Sequence, residues 1–403
     1  MSLPTPVLPR TLAIYLGAGT VFGALAVRGF LVPLRANELG IDRFQIGLIS
    51  SASLFTGALL SVPAGFLADR VGRRRLLLVS ILLGGISEVG IASATSAPPI
   101  YLWQILVGVM AGAAQTALFT ALADAVPARR LGQAMGWLTL SMQIGFLAGP
   151  ALAGFMLQFT DVRRDLLGAT VVFALAFVLS GLAGKDGPSR GGGFEVVGPI
   201  RELSRTRGFY AVVVGVFAAS ILWGTLQAYL PLFSKEVLHL PGPQIGYLIA
   251  IIAVFNGLSR LPAGWIVDRA QKRGPIVIVG VLSVALALAI LPHLRGFWPP
   301  ALILAAAVPF NAAAFIAVSV TFSGLASERT RGISMGIYGT FLFLGLGAGP
   351  ALLGGVFQTG YVQGFTATAV VAVLLAVLTA VIRTEPIRRR RAIGPIPPPV
   401  PDS

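Results

Sequence analysis

The chain has 403 residues, of which 56% are hydrophobic and only 11% charged, and its net charge is +15. A soluble domain carries about 25% charged residues, so this sequence has too few to cover a water-exposed surface, and we expect lipid around it. The basic residues stand in short clusters between long apolar runs, which indicates membrane topology and argues against nucleic-acid binding. The absence of cysteine excludes disulfides, thiolate metal sites and cysteine nucleophiles.

Twelve apolar runs follow one another along the chain. A helix needs about 20 apolar residues to cross the hydrocarbon of a bilayer. The sequence therefore predicts an all-α membrane protein with twelve transmembrane helices, at 11–34, 45–67, 75–96, 100–123, 132–157, 166–184, 209–233, 244–266, 274–292, 298–322, 332–356 and 364–382. The first run is too long for a signal-peptide core and no small-residue cleavage site closes it, so we expect an uncleaved first helix.

One connection is much longer than the others and divides the spans into six and six. It is rich in glycine and charged residues, as expected for a linker. We predict an N-terminal six-helix bundle over 1–184, a cytoplasmic linker over 185–208 and a C-terminal six-helix bundle over 209–383. Residues 384–403 form a basic, proline-rich cytoplasmic tail in this interpretation.

The distribution of basic residues predicts the orientation, because Lys and Arg are enriched in cytoplasmic segments. With the N-terminus in the cytoplasm, 22 of the 30 basic residues fall on the cytoplasmic side and six on the other. We therefore predict a multi-pass protein of the plasma membrane with both termini in the cytoplasm, and we expect a monomer. Two basic residues, Arg28 and Arg260, remain inside spans.

The two halves of the sequence resemble each other. Pro63–Arg70 recurs as Pro262–Arg269, 199 residues later, and Ala148–Leu152 recurs as Ala348–Leu352, 200 residues later. Matched blocks in register predict that each half is the same six-helix bundle. Two such bundles, related by an axis along the membrane normal, form a transporter architecture.

The motifs of this repeat resemble those of the major facilitator superfamily. The loop after span 2, at 65–74, matches the cytoplasmic signature of that family, and its counterpart after span 8 has Gln271 where a glycine is expected. The segment 145–154 in span 5 resembles a signature of drug–proton antiporters. Span 4 departs from the family, because Gln104 stands where an arginine linked to proton coupling is expected.

The resemblance implies that charged residues at the cytoplasmic ends of spans 2 and 8 latch the cytoplasmic face when the transporter opens outward. A carboxylate at a helix end can pair with a basic residue or with a helix amino terminus in the other half. Alternatively, the arginines only fix the topology. The predicted cytoplasmic gate comprises Gly65, Asp69, Arg70, Gly72, Arg73, Arg74, Asp124, Asp268 and Arg269.

Small residues four apart in spans 5 and 11 let helices approach closely, and the prolines beside them each remove one backbone hydrogen bond. We expect a flexible seam between the halves here. Tight packing without a role in transport is the alternative. The predicted seam comprises Gly145, Gly149, Pro150, Gly154, Gly345, Gly349 and Pro350.

Polar residues inside spans indicate function, because burying them in a membrane is unfavourable. The resemblance implies that spans 1, 4, 7 and 10 line a central cavity, with 2, 5, 8 and 11 between the halves. Each candidate could instead make an ordinary interhelical contact. The predicted solute-binding residues are Arg28, Gln115, Trp223, Gln227, Tyr229, Asn256, Arg260, Asn311 and Tyr338.

Glu88 is the only acidic residue well inside a predicted span, which makes it the candidate for proton coupling. Span 3, which carries it, is peripheral in the family that the sequence resembles. A structural ion pair with Arg28, which lies at a comparable depth in span 1, is the alternative.

These features predict a secondary active transporter that exports small amphipathic solutes, drug-like compounds or metabolites, coupled to protons. The alternatives are an organic-anion transporter, since intramembrane arginines outnumber acids, and a membrane sensor that does not transport. The expected partners are the solute, protons and the lipid bilayer. An enzyme, a cofactor and a metal site are not expected, because no phosphate-binding loop, metal-ligand cluster or Ser-His-Asp set is present.

Overall fold

The computed structural model describes residues 7–127, 130–182, 201, 204–206, 208–325 and 331–382. In this part of the chain we number twelve α-helices in order: α1 Val7–Glu38, α2 Arg43–Val71, α3 Arg73–Ser93, α4 Ala97–Ala125, α5 Leu131–Met156, α6 Val162–Gly181, α7 Phe209–Glu236, α8 Gly242–Arg269, α9 Gly274–Ile290, α10 Trp298–Leu325, α11 Arg331–Thr359 and α12 Tyr361–Val381. The predicted tail and most of the predicted linker lie outside the described residues.

Each helix coincides with one predicted span. Ten of them are long and apolar enough to cross a membrane, and the other two, α2 and α6, have 29 and 20 residues. Seven of the twelve described helices end beyond their apolar run and five end one to three residues before its end. For example, α2 begins two residues before its predicted span and ends four residues after it. A helix of that length is about 44 Å long, which matches a bilayer with its headgroup regions.

The helices pack as two halves. In the first half α1 packs on α5 and α6, α2 on α4, and α3 on α4 and α6. In the second half α7 packs on α11 and α12, α8 on α10, and α9 on α10 and α12. The main contacts between the halves join α2 to α11 and α5 to α8, which are equivalent pairs under the repeat. The predicted all-α membrane fold of two pseudo-symmetric six-helix units is confirmed.

Prolines inside the helices follow the same repeat. Pro33 in α1 corresponds to Pro231 in α7, and Pro63 in α2 corresponds to Pro262 in α8. Proline removes a backbone donor inside a helix, and membrane helices tolerate this because neighbouring groups satisfy the freed carbonyl. The repeat therefore extends to backbone features and not only to the signature loops.

Two apolar cores divide the molecule unequally. One lies within the first half and includes Ile14, Leu77 and Leu118. The other contains the core of the second half together with residues of the first half near the α1–α2 connection, such as Leu31 and Ile46. The halves thus share a continuous core at this end, which is the extracellular end in the predicted orientation and which we call the outer end.

Candidate functional site

A cavity of about 540 Å³ lies between the two halves. Its described walls come from α1, α2, α4 and α5 on one side and from α7, α8, α10 and α11 on the other. These are the spans that the family resemblance implies at the centre and at the interface. The volume falls within the range of about 300–1,000 Å³ that is typical of small-molecule sites.

Seven of the nine predicted solute-binding residues line this cavity. Each half contributes, and the set combines two guanidinium groups, three side-chain amides and two aromatic rings. The seven are Arg28, Gln115, Trp223, Gln227, Asn256, Arg260 and Tyr338. Their contact with a solute stays a prediction.

Tyr229 and Asn311 are not among the lining residues, so their predicted place in the cavity wall needs correction. Tyr229 is completely buried, stacks on Phe357 at 3.8 Å between ring centroids and donates a hydrogen bond to the carbonyl of Arg43 at 3.0 Å. It follows Gln227 by two residues, which turns it about 200° away on a helix. Asn311 is 1% exposed, whereas its neighbour Ala312 lines the cavity.

A buried polar cluster joins α1, α3 and α4 in the first half. Arg28 Nε lies 3.2 Å from Glu88 Oε1, and Arg28 Nη1 donates a hydrogen bond to Gln104 Oε1. All three side chains are buried, and Arg28 and Gln104 also line the cavity whereas Glu88 does not. The structure therefore contains the Arg28–Glu88 pair that the sequence offered as the alternative to proton coupling.

Gln104 was not among the predicted solute-binding residues. Its signal in the sequence was the departure from the family motif, where an arginine is expected. In this structure the guanidinium comes from Arg28 on the neighbouring helix, and the side-chain oxygen of Gln104 accepts its hydrogen bond. The positive charge is thus supplied by α1 instead of α4.

A second polar cluster lies at the contact between α5 and α8. Arg260 donates from both Nε and Nη2 to Asn256 Oδ1, each at 3.3 Å. Gln143 Nε2, from the other half, donates to the same oxygen at 3.2 Å. Helical spacing marks Asn256 and Arg260 in the sequence, but no sequence signal marks Gln143, because its partner lies 113 residues away.

Charged and aromatic side chains connect the halves at the outer end. Arg43 Nη2 lies 2.6 Å from Glu236 Oε2, the Tyr361 hydroxyl donates to the same oxygen at 2.9 Å, and the Arg43 guanidinium lies 4.3 Å from the centre of the Tyr361 ring. We call Arg43, Glu236 and Tyr361 the outer cluster. In the sequence Arg43 contributes only to the predicted topology, and no sequence signal indicates this contact.

Two further polar contacts accompany the outer cluster. Gln358 Nε2 donates to Asp42 Oδ1 at 2.9 Å, and Lys235 Nζ lies 3.8 Å from Glu38 Oε1. In each pair one residue belongs to the first half and the other to the second. The outer end is therefore closed by polar contacts as well as by the shared apolar core.

Several residues of the predicted cytoplasmic gate contact residues of their own half. Arg73 pairs with Asp124, so Asp124 binds a residue of its own half, and Arg74 donates to the carbonyl of Gly181 at 2.8 Å. Arg269 stacks over Trp265 of its own helix at 3.8 Å. The side chain of Asp69 lies outside the described part of the chain. The latch role of these residues stays a prediction.

The other gate residues lie at the same end of their helices. Arg70 and Asp268 are exposed near the ends of α2 and α8. Gly65 lies in the last two turns of α2, and Gly72 connects α2 to α3. The structure therefore places the predicted gate at the cytoplasmic end in the predicted orientation.

The glycine seam is only partly a contact between the halves. A Cβ added to Gly149 would lie 2.5 Å from the Gly23 carbonyl oxygen, and one added to Gly349 would lie 2.5 Å from the Ile221 carbonyl oxygen. Gly145 likewise faces α1, and Gly345 faces α7. These four glycines pack within their own half, which corrects the prediction that they separate the halves.

The contact between the halves lies further along the same helices. A Cβ on Gly246 in α8 would lie 2.5 Å from the Pro150 carbonyl oxygen and 2.8 Å from the Gly154 Cα in α5. The Pro350 carbonyl of α11 in turn faces Gly47 of α2. Bare backbone on both sides lets the helices touch at the outer end.

The sequence profile described as Major Facilitator Superfamily matches residues 14–328. The chain belongs to this superfamily. Its members are membrane transporters and not enzymes, so the protein is a multi-pass membrane transporter of small solutes. This agrees with the two pseudo-symmetric halves and the cavity between them.

Individual relatives are distant. The chain is 23% identical over 352 residues to the quinolone resistance protein NorA of Staphylococcus aureus (strain MSSA476), covering 86% of this chain and 87% of NorA. It is 31% identical over 159 residues to the 4-hydroxybenzoate transporter PcaK of Pseudomonas aeruginosa (strain PAO1), covering 38% and 35%.

Solved structures with the same fold include two transporters. A bacterial homologue of the human lysosomal transporter Spinster, in an inward-facing and occupied conformation, is 16% identical with a TM-score of 0.74, covering 95% of this chain and 97% of that one. A mutant of the nucleoside transporter NupG is 13% identical with a TM-score of 0.76, covering 93% and 100%.

Proposed function

We propose that this protein is a secondary active transporter that exports small amphipathic solutes across the plasma membrane in exchange for protons. The observation that carries the proposal is the cavity between two equivalent halves, with polar side chains from both halves in an otherwise apolar wall. Alternating access requires that such a site be exposed to each side of the membrane in turn.

The contacts at the outer end support alternating access. They include bare-backbone packing around Gly154 and Gly246 and the partly exposed ion pair of Arg43 with Glu236. Exposed ion pairs contribute little free energy, about 0–1 kcal/mol. Contacts of this kind hold the outer end closed in one state and can be broken when the halves rock apart.

Export of amphipathic solutes is supported by the cavity wall and by one relative. Phe22 and Phe146 meet edge to face at 5.5 Å and line the cavity from the first half, and Trp223 lines it from the second. The likeness to NorA, whose name describes quinolone resistance, extends over 86% of this chain. Both favour efflux of compounds with apolar bodies.

Coupling to protons is supported by the buried pair of Glu88 and Arg28. The two side chains form an ion pair in the hydrocarbon region, next to the cavity. Protonation of Glu88 would remove one charge of the pair and release the guanidinium that lines the cavity. A proton on Glu88 and a solute beside Arg28 would thus be energetically linked.

The proposal is tested by reconstitution into vesicles with ethidium and 8-anilinonaphthalene-1-sulfonate as a cationic and an anionic probe. At least one probe should exchange, and an imposed pH gradient should accelerate its movement. Glu88→Gln should retain exchange without a gradient and lose the acceleration, because the amide cannot take up a proton. Asp161→Asn is the matched control, since Asp161 is exposed and caps α6, a role that asparagine also fills.

Two results would contradict parts of the proposal separately. Binding of the probes without any exchange by the folded wild-type protein would indicate a sensor and would remove the transport function. Equal acceleration of Glu88→Gln and wild type by the gradient would remove Glu88 from the coupling mechanism and leave transport intact.

A further inference from the structure

The charged groups in the cavity wall are all of one sign. Arg28 from the first half and Arg260 from the second line the cavity, and no acidic side chain lines it among the described residues. Glu88 lies outside the lining and is completely buried. A solute in the cavity therefore meets guanidinium groups and amides but no carboxylate of the described walls.

The two arginines differ in how their charge is balanced. Arg28 forms an ion pair with Glu88 at 3.2 Å, so its charge is compensated by a neighbouring carboxylate. Arg260 donates to the amide oxygen of Asn256, which carries no formal charge. Within the described part of the chain, Arg260 is thus the uncompensated charge of the cavity. Such a charge in a surrounding of low dielectric attracts an anion strongly.

The geometry of Arg260 suits a carboxylate. Its Nε and Nη2 both point at the single oxygen of Asn256, each at 3.3 Å, and Gln143 donates to the same oxygen at 3.2 Å. Because a single oxygen accepts hydrogen bonds from three donors, each of these hydrogen bonds is long. A carboxylate has two oxygens in the plane of the guanidinium fork and forms two parallel, shorter hydrogen bonds.

Aromatic rings line the same cavity as Arg260. Tyr338 and Trp223 line it from the second half, and Phe22 and Phe146 line it from the first. Flat aromatic walls favour a solute whose body is itself apolar and contains rings. The cavity thus combines one anion-binding group with an aromatic enclosure.

We infer that the cavity selects amphipathic organic anions, with one negatively charged group on an apolar ring-containing body, and that Arg260 binds the charged group. This inference rests on the proposed transport function and specifies its substrate class. Asn256 holds the guanidinium in the cavity when no solute is bound. The solute carboxylate then takes over the two donors of Arg260.

The test uses three probes with the same two-ring body, namely naphthalene-2-carboxylate, the neutral naphthalene-2-carboxamide and the cation 2-naphthylmethylammonium. Calorimetric binding to the full chain in lipid nanodiscs should give the lowest Kd for the carboxylate, by about ten-fold or more over the other two. Arg260→Gln should remove this preference by weakening carboxylate binding alone. Arg163→Gln, which removes an exposed arginine outside the cavity, should keep it.

A conservative variant separates the charge from the guanidinium fork. Arg260→Lys keeps the positive charge but loses the paired donors, so the carboxylate preference should be intermediate between wild type and Arg260→Gln. This variant also provides the test if Arg260→Gln does not fold. A preference unchanged in both variants, or an equal loss of affinity for all three probes, would overturn the inference.

Exchange in vesicles distinguishes this inference from the proposed function. Exchange of the cationic probe with no preference for the carboxylate would refute the anion site and leave the transporter function in place. Exchange of none of the probes in sealed vesicles that contain folded wild-type protein would refute transport itself. Tighter binding and faster exchange of the carboxylate would support both.

Discussion

Gly72 shows what one residue of the cytoplasmic signature does in the backbone. It alone connects α2 to α3, with φ of 98° and ψ of 137°, a conformation that side chains with a Cβ rarely adopt. After α8 the connection has four residues, 270–273, and Gln271 is not among the residues with positive φ. The glycine is therefore required by the one-residue turn, and the longer connection in the second half removes that requirement.

The buried cluster around Arg28 predicts how the protein responds when the arginine of the family motif is restored in α4. In Gln104→Arg the new guanidinium would lie beside Arg28 without the oxygen that now accepts its hydrogen bond. Two cations would then face one carboxylate, Glu88. Because a buried charge left without a partner is destabilising by about 3–5 kcal/mol, we expect a large loss of thermal stability in detergent.

The exchanged double variant provides the control for this prediction. Arg28→Gln combined with Gln104→Arg restores one guanidinium and one amide beside Glu88, so it should recover much of the stability lost by Gln104→Arg alone. Additive losses in the double variant would show that the two positions do not interact, and would contradict the cluster as described.

The contact of α5 with α8 at the outer end predicts a conformational effect of a single methyl group. A Cβ on Gly246 would lie 2.5 Å from the Pro150 carbonyl oxygen and 2.8 Å from the Gly154 Cα, and both are backbone atoms that cannot rotate away. Gly246→Ala should therefore push the halves apart at this end. Since the chain has no cysteine, spin labels on Gln158→Cys and Arg295→Cys can report the distance without background.

The expected result is a longer distance distribution in Gly246→Ala than in the labelled parent protein. Gly264→Ala is the matched control on the same helix, because a Cβ there has no atom within 4 Å. An unchanged distribution in Gly246→Ala, with the control also unchanged, would mean that the helices can adjust without separating.

Most of the helices and part of the site could be predicted from the sequence. Each apolar run became one helix, because a bilayer admits few other backbone structures. Arg28, Asn256 and Arg260 were found because polar side chains are rare in spans. The helix boundaries, by contrast, differ from the predicted ones by up to four residues: the starts lie at or before the predicted residue, and the ends deviate in both directions. Hydropathy does not mark a helix boundary where the sequence around it is polar.

The parts that the sequence did not reveal depend on contacts between distant segments. Gln143 bonds to Asn256, and Arg43 pairs with Glu236, which lies 193 residues away. Tyr229 was assigned to the cavity from its helix alone, although its two-residue offset from Gln227 turns it toward Phe357. Spacing along one helix cannot tell which neighbouring helix covers a given face.

The outer cluster gives a prediction for the balance between the two access states of the whole transporter. Arg43 and Glu236 are joined across the halves and are 31% and 25% exposed at their side chains. Partly exposed pairs contribute up to about 1 kcal/mol, which corresponds to a population ratio of about five. Arg43→Glu places two carboxylates side by side, and Glu236→Arg places two guanidinium groups side by side. Each variant should therefore raise the outward-open population several-fold.

The spin-label pair on Gln158→Cys and Arg295→Cys measures this population, and the double variant Arg43→Glu with Glu236→Arg should shift it back toward the parent protein. Arg163→Glu, a charge reversal at an exposed position of the same end, should leave it unchanged. If both single variants keep the parent distribution, the apolar core and the glycine contacts hold the outer end closed without help from this pair. A contact that is made in only one access state biases the equilibrium between the two states. A shift that the double variant reverses would therefore show that the Arg43–Glu236 contact stabilises the state in which the outer end is closed.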